Sequence, residues 1–484
     1  MRIPEKLLSA GRIHILGAAG QEGRAVFDYL LASDMDVIGH VSVERDEFEK
    51  TFDLFSDAYS EIESRTMAEK FVSSGRMVFG SDYGTGIEKG DAVIAPQAYA
   101  RYPLNRPIMD MDARGEIMFL QAIEFAFSIA DCKLIGVTGT AGKSTVTALI
   151  GNMLESYGKP FYFSGNDRDN KWDLFALEAI DKDGFALFEI SHRHLTDLKH
   201  SPDVAVITNI FPHHLDDAGS FDRYIEIKKN IYRYQEMGDI ALVNHSLIKE
   251  RVVKEEEEVP GRLIYFGGDH AGADGISGAV VEDDSLLAVI DDASAKVSLD
   301  EFRAYGEHNI MNALAAMLAG LAAGLPASSV EEGIKNWKGL RYRQELIGEW
   351  NGIRIINDGK STDPLATIEA VKAIPEIGAL ILGGIREGFS EGDFIPLGRE
   401  ISDKKIKKVF IFGSSKSAMA RDLIEAGVES HICTDITDAV SRAIEATNKG
   451  EAVVFSPGCQ SFDEFKDYRD RAKAFEAAVD GIFG

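Results

Sequence analysis

Gly136-Val137-Thr138-Gly139-Thr140-Ala141-Gly142-Lys143-Ser144-Thr145 is the stretch on which the fold turns. The apolar run Leu134-Ile135-Gly136-Val137 reads as a buried strand, and it feeds a glycine turn and then a helix expected from Thr145 to Tyr157. Glycine lets backbone N–H groups approach phosphate oxygens, and the helix dipole adds a favourable field. Thr138, Gly139, Thr140 and Gly142 are the expected walls of such a cradle. Lys143 is then placed to reach β- and γ-phosphates, and Ser144 or Thr145 to ligate Mg²⁺. The strict GxxxxGK[ST] pattern is not met, because Val137 stands where its first glycine belongs. Strand, loop and helix in this order place the chain in the α/β class.

Strand–helix alternation extends to both sides, in three blocks. Upstream, Arg12-Ile13-His14-Ile15-Leu16 reads as a strand, followed by Gly17-Ala18-Ala19-Gly20-Gln21-Glu22-Gly23 and a helix to about Leu31. Asp36–His40 and Ala92–Ala95 read as further strands, the second closed by Pro96; this is Rossmann-like wiring. A helix is expected near Gly115–Ile129. Downstream of the glycine loop, strands are expected at Phe185–Glu189 and Val204–Thr208, and residues 262–299 read as short strands with Gly and Asp turns. The helix Asn309–Ala323 ends at Gly324 and Pro326, and Ser328-Ser329-Val330-Glu331 reads as a capping box for the next one. The third block has strands at Ile353–Ile356, Gly378–Leu382, Lys408–Phe412 and Ala452–Phe455. The expected domains are residues 1–112, 113–339 and 340–484.

A length of 484 residues suits about three domains. The net charge of −27 argues against a nucleic-acid surface, which needs clustered Lys and Arg. It leaves room for a phosphate ligand held by a local nest of N–H groups. The acidic run Glu255–Glu258 reads as a solvated helix face or loop. Cys132, Cys433 and Cys459 form no CxxC pair, so neither a disulfide framework nor a zinc site is expected. The N-terminus lacks a sustained apolar core followed by small residues, and no stretch reaches the length of a membrane span. A soluble cytoplasmic protein is the expectation; the sequence leaves its oligomeric state open.

Three further features carry chemistry. Glu189 ends an apolar strand, where α/β sheets bind ligands, and could hold a magnesium ion; strand-end glutamates are also common without such a role. Thr208-Asn209-Ile210-Phe211-Pro212-His213-His214-Leu215-Asp216 pairs two histidines with an aspartate, a possible metal set. Lys228 follows on a helix expected from Tyr224 to Tyr234, where a lone lysine is ordinarily solvated.

Taken in order, these pieces resemble the Mur ligase family. Thr138–Thr145 is similar to its TGTxGK(S/T)T loop, Asn209–Asp216 to its N-x-x-x-D-H-L-D segment, and Tyr224–Lys228 to its Tyr-x-x-x-Lys helix. Gly306–Ala316, Gly339–Glu345 and Asn357–Thr367 resemble its later motifs G-x-H-N-x-x-N-A-x-A-A, G-L-x-H-R-x-E and N-D-S-K-A-T-N-P-x-A-T. Leu382-Gly383-Gly384 with Asp393-Phe394, and Ser456–Tyr468, resemble segments of the branch that adds D-glutamate to UDP-N-acetylmuramoyl-L-alanine. The resemblance implies a three-domain architecture with Rossmann-like first and third domains and an ATPase-type centre. It also implies an ATP-dependent amide ligase of peptidoglycan precursor synthesis, working through an acyl phosphate. Ser144, Thr145 and Glu189 would serve one Mg²⁺ site, and His214 with Lys228, as its carbamate, a second. Asn309 and Asn312 would face the adenine. Arg343 and Asp358 would complete the ATP site. Gly17 and Gly20 would border a uridine-diphosphate pocket, with Asn166 near substrate and phosphates. Lys360, Thr362, Arg386, Ser461, Phe462 and Tyr468 would meet the amino acid.

The chain departs from the family pattern at several positions. His213 stands for an Asp, Tyr342 for a His, and Gly359 for a Ser. Ala95-Pro96-Gln97 stands for Ser-Pro-Gly, an acidic insertion lies around Glu44–Glu63, and Arg386 sits in a longer loop without the family's lysine. Two alternatives follow: a ligase of this scaffold with another amino acid or acyl carrier, and a catalytically weak nucleotide-binding regulator. A plain P-loop kinase or GTPase does not account for the motifs after residue 300.

Overall fold

The computed structural model describes residues 1–48, 50, 52, 59–165, 171–212, 219–250, 252–253, 259–268, 277–302, 306–386, 390 and 392–483. The chain forms two compact units, one of residues 1–302 and 311–336, the other of residues 303–310 and 337–484.

The first unit holds two sheets. In the first, β1 (Ile13–Leu16), β2 (Val37–Val41), β3 (Met77–Phe79), β4 (Ala92–Ala95) and β5 (Met118–Gln121) run parallel in the order β3-β2-β1-β4-β5. β1 and β4 are buried along their whole length, as apolar runs covered on both faces must be. β2 and β4 flank β1, so the order reverses at β1, the place where sheets of this kind bind ligands beyond the strand's carboxyl end. Gly17 and Pro96 meet there. Gly23 is obligatory in this turn, because a Cβ on it would come within 2.4 Å of the Gly17 carbonyl oxygen. One sequence expectation is corrected here. Met118–Gln121 is not the first turn of a helix but β5, paired with Ala92–Ala95, and the helix spans only Ala122–Ile129. A short apolar run continuous with an apolar helix carries no period to separate the two.

The second sheet has nine strands: β6 (Lys133–Thr138), β7 (Phe161–Ser164), β8 (Phe185–Glu189), β9 (Val204–Ile207), β10 (Ile240–Asn244), β11 (Arg262–Phe266), β12 (Gly278–Glu282), β13 (Ser285–Ile290) and β14 (Ala293–Ser298), ordered β14-β13-β12-β11-β10-β9-β6-β8-β7. Pairing is parallel from β7 to β12, and β12–β13–β14 is an antiparallel extension. Its turns use Asp283, Asp284 and Asp291 at positive φ, the Asp turns expected from sequence. β6 lies between β8 and β9, so the glycine loop leaves the sheet at another switch of strand order. The helix Ala327–Lys335 starts at Pro326 with no side-chain cap, which overturns the expected capping box. Glu331 accepts instead from the Lys296 N–H at 3.1 Å.

In the second unit, β15 (Glu345–Trp350), β16 (Ile353–Asn357), β17 (Ile377–Gly383), β18 (Val409–Phe412), β19 (His431–Ile432) and β20 (Ala452–Phe455) form a sheet ordered β15-β16-β20-β17-β18-β19. Only β15, unforeseen in the sequence, is antiparallel to its neighbour. Alternate residues feed two cores: Ile356, Leu380, Leu382 and Val454 on one face, Ile355, Ile381, Val453 and Phe455 on the other. Among the described residues no helix is long and apolar enough to cross a membrane.

Candidate active site

The glycine loop is held by the strand end beside it. The Thr140 N–H donates to the Asn209 carbonyl (2.9 Å), the Ala141 N–H to Asn209 Oδ1 (2.8 Å), and the Thr208 hydroxyl to the Ala141 carbonyl (2.6 Å). Gly139 sits at φ +152°, and a Cβ on it would collide with Thr208 Oγ1. Gly142, at φ +83°, is the N-cap of the helix Lys143–Tyr157, and the Asn312 side chain lies where its Cβ would be. The helix thus begins at Lys143, two residues earlier than expected, which puts the glycine loop at a helix N-terminus, the end that favours anions. Lys143 Nζ donates to the carbonyls of Gly139 (3.1 Å) and Thr140 (3.2 Å). Ser144 and Thr145 are half-buried in the first turn.

Lys228 is the residue whose setting the sequence least foretold. Its helix, Phe221–Arg233, turns it into the protein, where it is 1% exposed. Nζ donates to Thr138 Oγ1 (2.9 Å) and to the Gly139 carbonyl (3.0 Å), and Thr138 Oγ1 donates onward to the Ile190 carbonyl (2.7 Å). Burial drives its pKa well below the usual lysine value; the Lys143 charge pushes the same way and Glu189 opposes. Glu189 is buried at the end of β8 and stands in register with Val137, one residue before Thr138. The glycine loop, a strand-end carboxylate and a lysine held toward its neutral form therefore share one corner.

The glycine turn after β1 approaches this corner through a hydrogen-bonded ring. Glu22 Oε2 accepts from the Gln97 N–H (2.8 Å), Ser191 Oγ donates to Gln97 Oε1 (2.5 Å), the Ser191 N–H lies 3.2 Å from His194 Nδ1, and His194 Nε2 lies 3.2 Å from Glu22 Oε1. Beside it opens a cleft of about 350 Å³, bordered by Gln97, Tyr99, Arg101, Arg193, Arg223 and Ile227. Three arginines from three separate segments therefore border one cleft in a chain of net charge −27.

In the second unit, Asp358 is fully enclosed. Its Oδ2 accepts from the hydroxyls of Ser361 and Ser456, both at 2.6 Å, and Oδ1 from the Gln344 N–H at 3.1 Å. Burial raises its pKa to about 6 against the pull of those donors and of Arg343. Tyr342 (φ +63°) and Gln344 (φ +48°) bracket the exposed Arg343, a tight turn for residues with side chains. Lys360 Nζ lies 5.5 Å from the Tyr468 ring, which packs edge-on against Tyr342. Ser461 is buried, Thr362 half-buried and Phe462 60% exposed. Gly359 replaces a serine for a steric reason: a Cβ would stand 2.8 Å from that of Ala472. Arg386 is paired with Asp422 at 3.1 Å and is 12% exposed. Sequence reasoning missed Arg471, fully buried on the helix Tyr468–Phe483. Its guanidinium donates to the carbonyls of Gly383 (3.0 Å), Cys459 (2.9 Å), Gln460 (3.1 Å) and Gly359 (3.3 Å), tying together the three loops named by the motifs. Asn309 and Asn312 lie on the helix Glu307–Ala322, which starts two residues before the expected Asn309. Asn166, His213, His214, Asp216 and Glu255–Glu258 lie outside the described residues.

A glycine loop at a strand-order switch, with a buried carboxylate and lysine behind it, is the arrangement that nucleotide-binding α/β enzymes use. Comparison with known proteins narrows that class. Residues 137–320 match the Mur ligase middle domain, and residues 342–459 the Mur ligase, glutamate ligase domain. The UDP-N-acetylmuramoylalanine–D-glutamate ligase of Natranaerobius thermophilus is 31% identical over 79% of this chain and 80% of its own. That of Thermoanaerobacter sp. strain X514 is 28% identical over 89% and 91%. Among solved structures, UDP-N-acetylmuramate–alanine ligase from Thermotoga maritima shares the fold with a TM-score of 0.56 at 16% identity, covering 97% of this chain and 99% of that one. A MurF ligase from Thermotoga maritima in complex with ADP does so at 0.52 and 17%, over 88% and 93%. The chain belongs to the Mur ligase family.

Proposed function

We propose that this chain is an ATP-dependent amide ligase that joins D-glutamate to UDP-N-acetylmuramoyl-L-alanine in cytoplasmic synthesis of peptidoglycan precursors. The observation that carries the chemistry is the corner where the Lys143 loop, Glu189 and buried Lys228 meet. The choice of D-glutamate is supported by the relatives that bear that name over most of their length.

In the first step a carboxylate oxygen of the acyl donor attacks the γ-phosphorus of ATP, and the bond to the β-bridging oxygen breaks to release ADP. The backbone N–H groups of the loop and Lys143 stabilise the charge that gathers on the transferring group. The amine of the incoming amino acid then attacks the acyl-phosphate carbonyl; inorganic phosphate leaves and the nitrogen loses a proton. The Ser144 or Thr145 hydroxyl and the buried Glu189 carboxylate, on neighbouring segments, form an oxygen donor set that suits Mg²⁺. Mg²⁺ would screen the clustered phosphate charge. Lys228 suits carbamylation, since only the neutral amine adds CO₂ and burial favours that form. The carbamate, with His214, would supply a second oxygen-and-nitrogen set. Asn309, Asn312, Arg343 and Asp358 are proposed to serve the nucleotide, Gly17, Gly20 and Asn166 the UDP substrate, and Lys360, Thr362, Ser461, Phe462 and Tyr468 the amino acid. Arg386 joins the amino-acid set only by exchanging Asp422 for a substrate carboxylate.

A second reading changes the carrier. The Gln97 side chain is engaged in the ring where the family pattern has glycine, and three arginines border the adjoining cleft. Phosphate release from ATP with UDP-N-acetylmuramoyl-L-alanine, scanned over single D- and L-amino acids, decides. Release with D-glutamate alone is expected. Release with another amino acid moves the specificity, and none with any moves the carrier. Lys143→Ala should remove turnover without unfolding the chain, and normal ligation by that variant would rule out the ATP site.

A further inference from the structure

The ring Glu22–Gln97–Ser191–His194 joins three segments distant in sequence: the glycine turn after β1, the exit of β4 and the exit of β8. Its hydrogen-bond directions are determined. A backbone N–H can only donate, so Ser191 makes His194 Nδ1 an acceptor. The neutral ring then carries its proton on Nε2, aimed at the Glu22 carboxylate. Glu22 in turn accepts from the Gln97 backbone, and Gln97 Oε1 accepts the Ser191 hydroxyl, which closes the loop. Glu22 and His194 are 6% and 2% exposed, so these bonds compete little with water.

The first half of this arrangement is a capping box for the helix His192–Leu195, with histidine in the position usually held by Glu or Gln. A cap alone needs only Nδ1. The use of Nε2 for Glu22, on the helix that follows Gly20, goes beyond capping. On its other side the same segment is gripped through the Ile190 carbonyl by Thr138, and Thr138 by Lys228. Glu189 is the residue immediately before that grip. A continuous path of hydrogen bonds thus runs from Lys228 to Glu22, with the β8 exit in its middle.

We propose that His194 is a positioning residue: through the closed ring it couples the glycine turn after β1 to the β8 exit, and so sets Glu189 against the phosphate loop. The catalytic part of this inference rests on the ligase reading; the coupling does not.

The test uses the full chain and two variants, His194→Ala and His194→Gln. Amide hydrogen exchange in the unliganded protein is followed at Ser191 and Gln97, and kcat and KM for ATP are measured in the ligation assay. In His194→Ala, exchange should quicken about tenfold or more at Ser191 and, across the ring, at Gln97. kcat should fall about tenfold with KM for ATP within twofold of the parent. His194→Gln keeps an acceptor and a donor at similar reach and should restore both readouts. Unchanged exchange at Gln97 in His194→Ala overturns the coupling. A kcat within twofold of the parent overturns the positioning role. So does a joint loss of kcat, ATP affinity and Tm that His194→Gln does not repair, since that marks a purely structural residue. If the parent ligates nothing, the ligase reading fails and the exchange arm still decides the ring.

Discussion

Lys228 and Asp358 make an instructive pair. Each is buried in its own unit, and burial drives each toward its neutral form: the lysine well below its ordinary pKa, the aspartate up to about 6. Their neighbours differ. Asp358 is surrounded by donors, two hydroxyls and an N–H, which favour the carboxylate and bring it back within reach of ionisation. Lys228 meets a neutral hydroxyl and a carbonyl oxygen, acceptors that favour the ammonium but do not offset its burial. Its nearest charges, Lys143 and Glu189, act in opposite senses. Desolvation is therefore partly offset at Asp358 and prevails at Lys228, so one site keeps an ionisable acid and the other a nucleophilic amine.

The sharpest way to break the comparison is Lys228→Ala. It should lower kcat by roughly 10²–10³-fold, and a short carboxylate such as formate or acetate should partly restore it, because the missing group is read as an anion. Full activity without rescue would end that reading. Next comes Asp358→Asn. The folded carboxyl has a raised pKa, so its contribution to stability is present below about pH 4 and is lost as pH rises through about 6. Above that pH the ionised group costs on the order of 2–3 kcal/mol. Urea unfolding of the parent should show this slope, and the Asn variant should flatten it. An identical slope in both proteins would place the titration elsewhere. The smallest effect belongs to Ser456→Ala, which removes one of the donors. The same slope should move to higher pH by about one unit or less, with a stability change of about 1 kcal/mol. No movement would mean that the remaining Ser361 and Gln344 donors suffice.

The phosphate loop was readable because its chemistry is local: glycines, a lysine and hydroxyls follow each other on one turn. Glu189 was readable from its place at a strand end. Lys228 was not readable from its helix alone, since its burial depends on β6 and the loop meeting that helix from elsewhere in the chain. Arg471 left no signal in Tyr468-Arg469-Asp470-Arg471, which looks like any charged helix surface. The four carbonyls that claim it come from residues between 359 and 460. His194 was silent for the same reason, its partner Glu22 lying 172 residues away. The strand Met118–Gln121 was mistaken because four apolar-rich residues before a helix fit either period. Five ends of parallel strands were placed correctly to the residue, at Leu16, Ala95, Glu189, Phe412 and Phe455. In such sheets apolar runs stop where the loops that hold ligands begin.

The guanidinium that ties Gly359, Gly383, Cys459 and Gln460 together is delivered by the helix Tyr468–Phe483. All six strands of that sheet precede it in the chain. During synthesis the strands of the second unit can therefore emerge and pair while its loops still lack their tie. Only when residue 471 has left the ribosome and its helix has docked can these loops take their final form. A nascent chain stalled shortly before that point would carry the scaffold of this unit without the loop arrangement described above.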